Sequence, residues 1–124
     1  MTRSTARLRL TLLGLTWAAC SPSVGHPPTA RIALTPAYVP IGASATVTLD
    51  GTGSSNALDD PQALHPLGFA WSIEDPTVVL SPDAASARVT AQIMTLRPLV
   101  VHLTVTDFQE NSGEAAATIG VTVP

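Results

Sequence analysis

The feature that most constrains this chain is an alternation of apolar and polar residues with a period of two. In residues 98–107 the apolar side chains of Leu99, Val101, Leu103 and Val105 fall on one face, while His102 falls on the other. Successive side chains of an extended strand point to opposite faces of a sheet, so this repeat is typical of a half-buried strand. Similar runs, separated by turn residues, recur between residues 30 and 123. The pattern predicts an all-β fold and argues against any long helix.

Seven short strands are predicted. Their ranges are residues 30–40, 44–50, 67–73, 77–80, 86–93, 98–107 and 114–123. Proline cannot donate a hydrogen bond to a neighbouring strand, so the first strand should be broken at Pro36, should end at Pro40 and should lie at a sheet edge. Seven strands at this spacing indicate a β-sandwich. Its core is expected to contain Leu49, Phe69, Trp71, Leu103, Val105 and Val121.

The first twenty residues carry the features of an export signal. Three arginines precede an apolar run at residues 10–17, and two alanines precede Cys20, which is the only cysteine of the chain. Basic residues keep the amino end in the cytoplasm while the apolar run enters the membrane, and that run is too short to span a bilayer. The pattern predicts cleavage before Cys20. An ordinary signal peptide cut near residue 19 and an uncleaved anchor are the alternatives.

The same segment resembles a bacterial lipoprotein signal. That resemblance implies acylation of Cys20 with chains such as palmitate, and a location outside the cytoplasm, held to the outer membrane or cell surface of the bacterial envelope by the N-terminal lipid. We therefore divide the chain into a lipoprotein signal peptide at residues 1–19, a lipidated cysteine and flexible tether at 20–28, and a sandwich at 29–124. Residues 21–28 are rich in Pro, Ser and Gly, and at about 3.1 Å per residue they would reach roughly 25 Å.

The length, charge and cysteine count of the mature chain limit its fold and the kinds of partner that it can bind. Removal of residues 1–19 leaves 105 residues, enough for a single core. Three arginines remain against nine carboxylates, a formal charge of −6. This balance disfavours nucleic acid, because phosphate binding needs clustered cations. One cysteine cannot form an intrachain disulfide, so apolar burial must stabilise the fold.

Three segments resemble the PKD domain, an immunoglobulin-like module named after the polycystic kidney disease protein. They are Val47-Thr-Leu-Asp-Gly-Thr-Gly-Ser-Ser55, Phe69-Ala-Trp71 and His102-Leu-Thr-Val-Thr-Asp107, in the order in which that family carries them. The chain departs from the family at residues 72–76, which lack a glycine turn, and at Leu99, where the family favours an aromatic residue. The resemblance covers residues 29–124 and implies a seven-stranded, immunoglobulin-like β-sandwich.

The loop after the second strand and the loop before the last strand should emerge at the same end of such a sandwich. Six of the nine carboxylates lie on or beside these two loops. Some PKD domains bind calcium in this region, and calcium takes about six to eight oxygen ligands. The resemblance therefore implies candidate ligands at Asp50, Asn56, Asp59, Asp60 and Asp107. The alternative is a set of solvated turn residues, because Asp and Asn favour turns through hydrogen bonds to the nearby backbone. No other cofactor is expected.

No arrangement typical of an active site occurs in the sequence. The three histidines, His26, His65 and His102, are spread too widely along the chain for a zinc site. Ser54 and Ser55 follow a glycine, but the segment lacks the strand-to-helix turn and the matched base of a nucleophile. We therefore predict that the protein is not an enzyme.

These features predict a lipid-anchored, extracytoplasmic, PKD-like module that binds a protein or glycan at the bacterial cell surface without catalysis. Loops at one pole or an exposed sheet edge would form the binding surface. The first strand should begin at the acidic end, so that the tether would place this end toward the membrane. Two alternatives stay open: a passive spacer or subunit of an envelope assembly, and a calcium-binding accessory module of a secreted hydrolase system.

Overall fold

The computed structural model describes residues 25–123, which form eight strands and no helix. The strands are β1 (Ala33–Thr35), β2 (Tyr38–Pro40), β3 (Ala45–Asp50), β4 (Gly68–Ile73), β5 (Leu80–Ser81), β6 (Arg88–Ile93), β7 (Leu99–Thr106) and β8 (Ser112–Thr122). The predicted all-β class is confirmed. The predicted signal peptide at residues 1–19 and the predicted lipidation site at Cys20 lie outside the described residues. In the described part of the chain, no helix is long and apolar enough to cross a membrane.

The strands form two four-stranded sheets, with the orders β1-β3-β6-β5 and β2-β8-β7-β4. Neighbouring strands are antiparallel except β2 and β8, which run parallel. The central pair, β7 and β8, places Leu99 opposite Ile119 and Thr106 opposite Ser112. Alternate residues of β7 are buried, as the period of two predicts. The predicted two-sheet sandwich is confirmed.

The predicted first strand is two strands that belong to different sheets. β1 pairs antiparallel with β3, with Ala33 opposite Asp50, whereas β2 pairs parallel with β8, with Tyr38 opposite Gly120. Pro36 lies between them and has no amide hydrogen with which to continue the β1 ladder. The predicted break at this proline is confirmed, and residues 25–123 form eight strands where seven were predicted. The change of sheet does not follow from alternation, which shows the buried face and not the neighbouring strand.

Three other strands begin two or more residues away from the predicted start. One of them is β6, which begins at Arg88 and not at residue 86. The short strand expected at residues 77–80 is β5, Leu80–Ser81, because Thr77 lies in a turn and donates its backbone N–H to Asp75 (2.9 Å). The last strand begins two residues earlier than expected, at Ser112, and ends at Thr122.

The core lies between the sheets and consists mainly of aliphatic side chains from β3, β6 and β7. Of the residues predicted for it, Leu49, Trp71, Leu103 and Val105 are buried, while Phe69 and Val121 are half-buried and pack against them. The indole N–H of Trp71 donates to the carbonyl oxygen of Ser86 (2.7 Å), which satisfies the polar atom of a ring that is only 5% exposed.

The sandwich has two ends, each formed by loops from both sheets. The proximal pole comprises residues 25–29, the β3–β4 loop at residues 51–67 and the β7–β8 loop at residues 107–111. The distal pole comprises residues 41–44, residues 94–98 and Val123. β3 and β6 connect the two poles, with Asp50 opposite Arg88 at the proximal end and Ala45 opposite Ile93 at the distal end.

Candidate functional sites at the two poles

The N-terminal segment at residues 25–29 lies against the loops of the proximal pole. Thr29 and Ser55 exchange two backbone hydrogen bonds, with N···O distances of 2.8 and 3.0 Å. Pro28 is buried, and a Cβ on Gly113 would collide with its carbonyl oxygen, so this close approach requires glycine. The expectation that the chain joins the sandwich at this end is confirmed. Residues 25–28 belong to the tether predicted at 20–28, and His26 and Pro28 in them contact Asp59 and Gly113 of the domain. The tether stays a prediction.

His26 holds this segment to Asp59 of the β3–β4 loop. Its backbone N–H donates to Oδ2 of Asp59, and its Nδ1 lies 3.0 Å from Oδ1. The side-chain hydrogen bond, followed by the backbone one, holds the pKa of Asp59 below its ordinary value. Both oxygens of this predicted calcium ligand therefore already have a donor.

Asp60 organises the β3–β4 loop from within. The backbone N–H groups of Leu64 and His65 donate to its two oxygens at 3.0 and 2.8 Å, and these bonds lower the pKa of Asp60. Nδ1 of His65 lies 3.4 Å from the same carboxylate. The His65 ring also stacks on Phe108 of the β7–β8 loop, with ring centroids 4.1 Å apart. This stack confirms that the two acidic loops emerge at the same end.

Several polar atoms are buried at the proximal pole. Oδ1 of Asp107 accepts the backbone N–H groups of Gln109 and Asn111, both at 2.9 Å, which closes the β7–β8 loop. Oδ2 of Asp107, Oε1 of Gln109 and both side-chain polar atoms of Asn56 are buried without a hydrogen-bond partner among the described residues. Asn56 lines a cavity of about 160 Å³ together with Asp60 and other loop residues. A buried polar atom without a hydrogen-bond partner destabilises the folded state, because its hydrogen bonds with water are lost and not replaced.

Asp50 lies at the end of β3 and has a separate set of partners. Its Oδ1 accepts the backbone N–H and the hydroxyl of Thr52 at 2.8 and 2.6 Å, while Nη2 of Arg88 donates to its Oδ2 at 2.9 Å. The Thr52 hydrogen bonds, with a smaller effect from Arg88, lower the pKa of Asp50 to about 2. Asp50 also lines an open depression of about 410 Å³ with Arg31 and Gly53.

The four aspartates among the five predicted calcium ligands thus engage different partners, and the side chain of Asn56 has none among the described residues. Asp50 binds Thr52 and Arg88, and the other carboxylates bind loop N–H groups or His26. Within residues 25–123 no group of three or more His, Cys, Asp or Glu side chains is placed to hold a metal ion. Calcium binding by Asp50, Asn56, Asp59, Asp60 and Asp107 stays a prediction.

The distal pole carries a cluster of exposed aliphatic side chains. Met94, Leu96 and Val123 are 70%, 76% and 79% exposed, and Ile41 is also exposed. The backbone joins them: Ile41 donates its N–H to the carbonyl of Thr122, and the next residue donates to the carbonyl of Thr95. We name Ile41, Met94, Leu96 and Val123 the distal cluster.

Two features of the poles escape prediction from the sequence. His26 and His65, which appear unrelated in the chain, both contact adjacent aspartates at the proximal pole. The distal cluster sits in loops, where apolar residues follow no period; its signal in the sequence is a set of large apolar residues beside turn residues such as Gly42. His102, in contrast, projects outward from β7, as predicted.

Comparisons with known proteins support the fold. No family model matches the chain, and no curated protein matches it. The solution structure of the PKD domain from the KIAA 1837 protein is similar, with a TM-score of 0.54 and 20% identity, over 85% of this chain and 93% of that one. A nucleoside hydrolase-related hypothetical protein from Saccharophagus degradans, associated with carbohydrate metabolism, is similar over 81% of this chain, with a TM-score of 0.55 and 23% identity. This chain spans 26% of that protein. The architecture is therefore a PKD-like sandwich.

Proposed function

We propose that the chain is a lipid-anchored, extracytoplasmic, non-catalytic module that binds a protein partner in the bacterial cell envelope. Acylated Cys20 would hold it to the membrane, and the sandwich would present its distal pole to the partner. One observation carries this proposal: the N-terminal segment packs on one pole, whereas the distal cluster occupies the other. A surface far from the anchor is the surface best placed to meet another molecule.

The chemistry of the distal cluster favours a protein partner. Burial of exposed apolar surface on association is favourable by about 25 cal/mol per Å². Met94 adds a flexible thioether that adapts to an apolar partner surface. The cluster itself is aliphatic, whereas sugar rings stack on aromatic faces, so a glycan fits this surface less well.

Crosslinking in cells tests the proposal. A photo-crosslinking residue replaces Leu96 in the distal cluster, and the same replacement at Leu64, which is 72% exposed at the proximal pole, serves as the matched control. We expect a defined crosslinked protein from position 96 that position 64 does not give. With that partner purified, Met94→Ser should weaken binding about tenfold, which corresponds to roughly 1.4 kcal/mol.

A passive spacer would behave differently. It would give no specific product at position 96, and Met94→Ser would leave any association unchanged. That pair of results would replace the binding function with the spacer alternative.

A further inference from the structure

The loops of the proximal pole also expose large apolar side chains. Leu58 and Leu64 of the β3–β4 loop are 74% and 72% exposed, and Phe108 of the β7–β8 loop is 44% exposed. Each is joined to a residue that is held in place: Leu58 precedes Asp59, Leu64 donates its N–H to Asp60, and Phe108 stacks on His65. These three side chains are therefore displayed by ordered loops. We name Leu58, Leu64 and Phe108 the proximal apolar set.

This set lies on the same two loops that the chain contacts where it reaches the domain. Gly25 lies directly against the side chains of Asp59 and Gln109, so it sits between the β3–β4 loop and the β7–β8 loop. His26 is hydrogen-bonded to Asp59 through both its backbone and its ring. The segment that leads to the proposed anchor therefore leaves the domain beside the two loops that carry the apolar side chains.

The remaining length of chain to Cys20 is short. Four residues, 21–24, separate Cys20 from Gly25. Five steps between Cα atoms of at most about 3.6 Å limit the distance from Cys20 to Gly25 to about 18 Å. Because residues 25–29 are bound to the domain, they do not lengthen the connection between the domain and Cys20. An acylated Cys20 would keep the proximal pole within this distance of the lipid.

We propose that the proximal apolar set lies against the lipid surface in which Cys20 is anchored. This inference rests on the anchor of the proposed function and adds a second, non-covalent membrane contact. Leucine and phenylalanine side chains transfer favourably from water to the interfacial region, and a nearby anchor raises their effective concentration there. Asp59 and Asp60 lie beside the set, so a zwitterionic headgroup layer suits it better than an anionic one.

Matched tryptophan substitutions test the contact. Leu64→Trp places a reporter at the proximal pole, and Leu96→Trp is the control, because the two leucines are 72% and 76% exposed at opposite poles. Trp71 supplies a constant signal from the core. The chain from Cys20 onward keeps every described strand, and its single thiol is coupled to a maleimide-bearing lipid in phosphatidylcholine vesicles with brominated acyl chains.

We expect bromine to quench the emission of Leu64→Trp, and the apolar surroundings of the lipid to shift that emission to shorter wavelength, while Leu96→Trp shows neither change. Equal emission from the two variants would overturn the membrane contact. The anchor is examined separately by fractionation of cells that express the wild-type chain or Cys20→Ala. If both fractionate alike, the proposed anchor fails, whereas the chemically coupled vesicles still decide whether this pole touches lipid.

Discussion

At the scale of single residues, Gly51 is a position where an added Cβ would crowd the core. A Cβ there would lie 3.0 Å from Cζ2 of Trp71 and 3.1 Å from Cδ2 of Leu103. Both neighbours are buried and cannot move away without disturbing the packing of the two sheets. We expect Gly51→Ala to lower the free energy of unfolding by about 1–3 kcal/mol, measured by urea denaturation followed through Trp71 emission.

The matched control is two residues away in the same loop. A Cβ on Gly53 would meet only the Arg31 side chain, at 3.7 Å, which is an ordinary contact. Gly53→Ala should therefore leave stability unchanged or raise it by about 0.4–1 kcal/mol through the lower entropy of the unfolded chain. Equal losses from both substitutions would show that loop flexibility, and not the contact with Trp71, sets the requirement for glycine.

The aspartates of this molecule act mainly as turn-forming residues. Asp50, Asp75, Asp83 and Asp107 each accept the backbone N–H of the residue two positions later, at 2.8 or 2.9 Å. This local hydrogen bond is the physical reason why aspartate favours turns. It accounts for Asp50 and Asp107 as turn-forming residues beside the two acidic loops, and calcium binding there stays a prediction.

At the scale of elements, local periodicity predicts the regular strands well. β3 and β7 follow the expected ranges closely because their alternating residues are buried on one face. The acidic loops come together as expected, since sandwich topology alone dictates which loops share an end. These predictions succeed because each rests on a pattern of residues that are close together in the sequence, or on the order of strands along the chain.

Contacts between distant residues could not be predicted in this way. The hydrogen bond between His26 and Asp59 joins residues 33 positions apart, and β2 lies beside β8 although about 80 residues separate them. Neither pairing leaves a local pattern in the sequence. The distal cluster was missed for a related reason, because an apolar residue in a loop gives no period with which to judge its burial.

The packing of residues 25–29 on the domain yields a prediction about one element. A Cβ on Gly113 would collide with the carbonyl oxygen of Pro28, so Gly113→Ala should displace this segment from the proximal pole. The backbone amides of Thr29 and Ser55 should then exchange hydrogen faster, since their mutual hydrogen bonds break. Amides of β7 should keep their protection.

Gly68→Ala is the control for that experiment. Gly68 also lies in a strand. A Cβ added there would have the carbonyl oxygen of Thr106, at 3.7 Å, as its nearest neighbour, which is an ordinary contact. In the Gly68→Ala variant, the backbone amide of Thr29 should exchange hydrogen at the same rate as in the wild-type protein. Identical exchange in the two variants would mean that the N-terminal segment does not depend on the space beside Gly113.

At the scale of the whole molecule, the aspartates link folding to pH. The pKa values of five of them lie below the ordinary value: Asp50, Asp59, Asp60, Asp75 and Asp83. Each binds a proton more weakly in the folded chain than in the unfolded one, chiefly because hydrogen-bond donors stabilise the charged form. Their stabilising contribution is therefore complete above the ordinary value of 3.8 and is lost as the pH falls below it.

Asp50 allows this linkage to be measured at one site. Its pKa of about 2 places the loss of its contribution between pH 3.8 and about 2. The free energy of unfolding of the wild-type protein should fall across this interval, and the slope should be smaller for Asp50→Asn, which has no carboxyl group to protonate. Thr52→Val removes the hydroxyl donor with the largest effect on this pKa and should give an intermediate slope. Parallel curves for all three proteins, measured by urea denaturation at each pH, would contradict a role for Asp50, and the acid sensitivity would then belong to the other four aspartates.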